Sequence, residues 1–107
     1  CKPELRNHTI ETAGVLNKAG VPMCICTDHP VVPEQYLPLS AGLAVRGGLD
    51  RDEALKAITI YPAQITGIAD RVGSIEPGKD ADIVIFSGDP LSVCDTPDTV
   101  IINGKVI

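Results

Sequence analysis

The run Val21-Pro22-Met23-Cys24-Ile25-Cys26-Thr27 is apolar and lacks the alternation of a half-buried strand. A short strand of this kind is covered on both faces, as happens where helices pack over a parallel sheet. The flanking residues agree. From Asn7 to Ala19, Ile10, Ala13 and Leu16 keep helical spacing, with Asn7 as the expected N-cap and Gly20 and Pro22 closing the end. A Pro-rich link, Asp28 to Pro33, leads to a second helix over Leu37 to Arg46, stopped by Gly47-Gly48. Asp50 stands three residues before Glu53, the spacing of a capping box, and opens a third helix; Pro62 to Ile65 forms a short further turn.

Near residue 67 the pattern changes. Ile83-Val84-Ile85-Phe86 and Val100-Ile101-Ile102 read as strands, and Pro77-Gly78, Asp89-Pro90 and Asn103-Gly104 as turns, the last a hairpin signal. The two parts expected are residues 1–67, α/β in character, and residues 68–107, built of strands.

Composition narrows the function. The 107 residues fill one small domain or belong to something larger, and an opening in Cys1-Lys2-Pro3-Glu4 favours an excised piece. A hydrophobic share of 44% is enough for a packed core. With a net charge of −5 the chain lacks the basic surface that phosphate contacts need, so no nucleic-acid partner is expected. No apolar stretch approaches the ~18 residues of a membrane span, and no charged segment precedes an apolar core at the start, so neither a span nor a signal peptide is expected in these residues. A cytoplasmic protein without a membrane partner is therefore expected. Cys1, Cys24, Cys26 and Cys94 lack paired zinc-ligand spacing, and Cys24 and Cys26 are expected as buried, inert thiols on one face of the strand.

Chemistry concentrates at Thr27-Asp28-His29. A carboxylate at the carboxyl end of a buried parallel strand sits where ligands and catalysis gather, and it serves as a metal ligand or general base. Equally, Asp28 caps the turn that follows, and the residues alone leave both readings open. His29 is a ligand, a substrate contact or a surface histidine; neighbours on an extended segment point to opposite sides, which disfavours sharing one ion with Asp28. His8, at a helix start, reads as solvated or capping. Glu4, Glu11, Asp50, Asp52 and Glu53 read as solvated helix charges, and no phosphate cradle or nucleophile elbow is present.

Thr27-Asp28, the segment Leu55 to Ala63 with Gly67-Ile68, the segment Val72 to Val84, and the ending Val100-Ile101-Ile102-Asn103-Gly104-Lys105-Val106-Ile107 together resemble the closing third of a metal-dependent amidohydrolase, imidazolonepropionase-like branch. The resemblance implies the last part of a (β/α)8 TIM barrel in residues 1–67, with Val21 to Thr27 as strand eight. Residues 68–107 would then be C-terminal strands of a composite β-sandwich. It implies Asp28 as metal ligand and proton shuttle, His29 as a substrate contact or support, and Asp80 and Asp82 as turn residues. The cofactor implied is a divalent metal, zinc first, with iron, manganese or nickel as alternatives. The substrate implied is a small amide-type molecule hydrolysed at a non-peptide C–N bond. The other metal ligands of that family have no counterpart in these residues, so the chain alone is expected to be inactive. Its uncovered strand favours self-association, and a homo-oligomer is expected. The contrasting reading is a stand-alone noncatalytic α+β interaction module.

Overall fold

The computed structural model describes residues 2–107; the thiol expected at Cys1 lies outside them. Single 3₁₀ turns occupy Pro3–Leu5 and Glu34–Tyr36. The helices are α1 (Thr12–Lys18), α2 (Leu37–Arg46), α3 (Arg51–Lys56) and α4 (Ile60–Ile65). Three strands follow, β1 (Ile83–Ile85), β2 (Thr99–Ile102) and β3 (Lys105–Val106), in an antiparallel sheet of order β1-β2-β3. No described helix is long and apolar enough to cross a membrane.

Helix α1 begins later than its apolar spacing predicts. Asn7 is not the cap; Glu11 is, without a side-chain bond. The reason is Thr9, whose hydroxyl takes the Glu11 amide at 3.3 Å while its carbonyl accepts from the Thr12 amide and hydroxyl. Such local bonds offer the backbone an alternative to helix. The far ends follow expectation. After α1, Gly20 (φ 71) lets the Val21 amide reach the Leu16 carbonyl at 3.0 Å, and after α2, Gly48 (φ 101) lets Leu49 reach Ala44 at 3.0 Å. Both are Schellman closures, which need a left-handed residue and therefore favour glycine. The Asp50 carboxylate caps α3 by accepting from the Asp52 and Glu53 amides.

The core is small and built largely of alanine: Ala41, Ala44, Leu49, Ala54 and Leu91, flanked by Met23, Ile25 and Leu55. Leu91 reaches it from the loop between β1 and β2, and the loop is also held by Arg51, whose guanidinium donates to Asp89 at 2.7 Å. The hairpin joining β2 to β3 turns through Asn103 (φ 49) and Gly104 (φ 76), the paired positive angles of a type I′ turn. The two acids expected in turns hold the strand region together: Asp80 pairs with Arg71 at 2.6 Å, and Asp82 accepts from the Asn103 amide at 2.7 Å.

Candidate metal and catalytic site

Val21 to Thr27 runs extended from α1, but among the described residues it joins no sheet. Beyond the Val21 bond that closes α1, the Ile25 amide ties it to the end of α3 by donating to the Ala57 carbonyl at 3.0 Å. Side chains alternate along it. Met23, Ile25 and Thr27 are half-buried, toward the helices, whereas Pro22, Cys24, Cys26 and Asp28 are exposed. The expected burial of Cys24 and Cys26 is thus corrected: only one face of the segment is covered by this chain, and both thiols lie on the other.

Asp28 stands at the end of that open face. Its backbone is left-handed (φ 53), and the turn after it closes through Val31 N–H to the Asp28 carbonyl (2.8 Å) and Val32 N–H to the Thr27 carbonyl (3.2 Å). Among the described residues, no hydrogen bond or ion pair engages the Asp28 carboxylate or the His29 imidazole, and both residues are exposed. His8 is exposed as well. No group of three or more His, Cys, Asp or Glu placed to hold a metal occurs among the described residues. A free carboxylate is a good oxygen donor to a divalent cation, so Asp28 fits one position of a metal site. It does not make a site by itself.

A different acid proves to be the best-engaged one. Glu53, read from sequence as solvated, accepts from Asn17 of α1 (3.0 Å), Tyr61 of α4 (2.7 Å) and Lys56 (2.8 Å). The Lys56 ammonium first, then the Tyr61 hydroxyl and Asn17 amide, hold its carboxyl down at about 2, and the same bond raises Tyr61. Glu53 therefore joins three helices, and a carboxyl held so low is a weak base. The signal available in sequence pointed elsewhere, because the capping-box spacing aims Glu53 back at Asp50. Two clefts flank the helices. One of about 510 Å³, lined by Asn17, Val21, Met23 and Tyr61 among others, opens at the start of the extended segment, away from Asp28. The other, about 910 Å³, lies between Leu55–Thr59 and the residue 72–84 region. Neither is lined by Asp28 or His29.

Helices supporting an extended segment that ends in an exposed carboxylate, followed by a small antiparallel sheet, make a mixed helix-and-sheet fold. The family model described as "Amidohydrolase family" matches residues 3–107. The chain belongs to the amidohydrolase family. It is similar to the amidohydrolase tasK of Hapsidospora irregularis, 35% identical over 103 residues, covering 96% of this chain and 10% of that protein. It is also similar to imidazolonepropionase of Geobacillus kaustophilus, 47% identical over 72 residues, 64% of this chain and 17% of that one. A crystal structure of an amidohydrolase from Thermotoga maritima superposes with a TM-score of 0.93 at 42% identity, covering 99% of this chain and 28% of that chain. The chain thus spans between 10% and 28% of the length of these relatives.

Proposed function

We propose that these residues form the closing part of a metal-dependent amidohydrolase that cleaves a non-peptide C–N bond, in a cyclic or linear amide or amidine of small size. In this reading residues 1–67 end a (β/α)8 barrel, Val21 to Thr27 is its eighth strand, and residues 68–107 contribute strands to a composite β-sandwich. The observation that carries it is the surface left open. A compact monomer of 11.2 kDa exposes about 5,700 Å², whereas this chain exposes 7699 Å². The difference, roughly 2,000 Å², is that of a large obligate interface. In keeping with it, Val31, Ile75, Val93, Val106 and Ile107 are each at least 71% exposed, and among the described residues no large side chain is fully buried. The radius of gyration, 14.8 Å, likewise exceeds the ~13 Å of a compact chain of this length. A self-sufficient interaction module has no need of so open a core.

Asp28 is the residue of this chain that meets the reaction. As one ligand of a divalent cation, zinc first and iron, manganese or nickel otherwise, it contributes a single oxygen donor; the cation, when bound, acts as Lewis acid and makes water acidic. The Asp28 carboxylate accepts a proton from the attacking water and returns it to the leaving nitrogen, the task of a general acid–base pair in one group. His29 contacts substrate or braces the site. The remaining ligands belong to parts of the protein outside these residues, so the 107-residue chain alone does not hydrolyse amides. The protein is cytoplasmic and homo-oligomeric, with no nucleic-acid or membrane partner. The test is turnover by the longer protein against a panel of cyclic and linear amides. Asp28→Asn is expected to lower kcat by ~10² to 10⁴ with the fold intact, and His29→Ala chiefly to raise KM; an Asp28→Asn enzyme of parental kcat removes Asp28 from the mechanism.

A further inference from the structure

Among the described residues, two that are not glycine adopt a left-handed backbone, Asp28 (φ 53) and Asn103 (φ 49). Asn103 is accounted for by its type I′ hairpin, which demands that angle. Asp28 serves no hairpin. A side chain at positive φ is unfavourable and persists only where the surroundings hold it.

What holds it is visible. The Val31 amide donates to the Asp28 carbonyl at 2.8 Å and the Val32 amide to the Thr27 carbonyl at 3.2 Å, so the two bonds grip the peptide units on either side of the Asp28 α-carbon. The Val31 side chain contributes little packing at 76% exposed, and Val32, 39% exposed, is only partly covered. The carboxylate has no partner of its own among the described residues. Its direction is consequently set through the main chain.

We propose that the turn from Thr27 to Val32 is a positioning device for Asp28, in which the N–H groups of Val31 and Val32, and not their side chains, hold the left-handed backbone that presents the carboxylate. The inference rests on the reading of Asp28 as a metal ligand. An acid in this position needs a fixed direction because a ligand misplaced by about an ångström loses much of its effect. A turn whose carbonyls are locked by its own amides provides that without occupying either carboxylate oxygen.

The experiment uses the longer, metal-stripped protein titrated with cobalt(II) chloride, reading affinity and the visible absorption spectrum of the bound ion. Val32 is replaced by its α-hydroxy acid analogue, which keeps the side chain and turns the donating N–H into an ester oxygen. Val32→Ala keeps the N–H and removes most of the side chain; Asp28→Asn is the reference. The ester variant is expected to weaken cobalt binding roughly tenfold or more and to change the spectrum, while Val32→Ala matches the parent. An ester variant with parental affinity and spectrum, beside a crippled Asp28→Asn, overturns the proposal and leaves the reading of Asp28 standing. If Asp28→Asn itself binds cobalt as the parent does, that reading fails and the positioning role with it. Should the Val32 ester not fold, the corresponding ester at Val31 applies the same criterion at the Asp28 carbonyl.

Discussion

Replacing Gly42 by alanine sets two known effects against each other. Gly42 lies inside α2, where alanine is favoured over glycine by about 1 kcal/mol. Its missing side chain, however, faces the loop that brings Leu91 into the core: a β-carbon there would lie 2.6 Å from the Leu91 carbonyl oxygen and 3.8 Å from the Leu91 β-carbon. The first contact is with backbone, so no rotamer change relieves it. Helix and loop must separate by about 0.7 Å to restore an ordinary C···O distance of ~3.3 Å. Overpacking of this sort costs about 1–3 kcal/mol, and a gap of 0.5–1 Å forfeits roughly a quarter to a half of the contacts around a displaced side chain. Leu91 is only 8% exposed and sits among Ala41, Ala44 and Ala54, small side chains unable to refill the space. Together the losses exceed the helical gain by about 1–2 kcal/mol. Equilibrium urea unfolding of parent and Gly42→Ala is the assay, with a lower midpoint at unchanged slope expected. A midpoint at or above the parental one refutes the claim that α2 and the loop are in direct backbone contact.

Glu53 makes stability depend on acid. Its carboxyl is held at about 2 in the folded chain against an ordinary 4.5, so the stabilisation is complete above pH 4.5 and is lost as pH falls toward 2. Glu53→Gln should flatten that acid limb in unfolding midpoints measured from pH 7 to pH 2, a range the parent should cross with a steep decline. At the hairpin, Asn103→Gly should leave the urea midpoint nearly unchanged, whereas Asn103→Val, β-branched at a positive φ, should cost about 1–2 kcal/mol.

What the sequence discloses and what it hides divide along physical lines. Local signals succeeded: Gly47-Gly48 ends α2 where its spacing says, Asp50 caps α3, and Asn103-Gly104 turns the final hairpin. Each depends on neighbours within a few residues. The failures are of two kinds. At α1 two local signals competed, and Thr9 took the Glu11 and Thr12 amides that a helix begun at Asn7 would have sent to the Asn7 and His8 carbonyls. Elsewhere the deciding partner is distant: Asn17 and Glu53 meet across 36 positions, and Leu91 enters a core of α2 and α3 residues with no periodicity to announce it. Asp28 is legible as an acid at the end of an apolar extended run. Its left-handed backbone is not, since Asp is compatible with both extended and left-handed conformations. The apolar run reads as covered on both faces, and in this chain one face is open.

In the proposed function Asp28 supplies one ligand to a metal site completed from outside these residues. Isothermal titration of zinc into metal-stripped protein tests it most directly, carried out on the 107-residue chain, on the longer protein and on its Asp28→Asn variant. Weak, nonstoichiometric binding is expected of the short chain, and tight stoichiometric binding, impaired by Asp28→Asn, of the longer protein. Stoichiometric sub-micromolar binding by the 107-residue chain, or unimpaired binding by the longer Asp28→Asn protein, contradicts it.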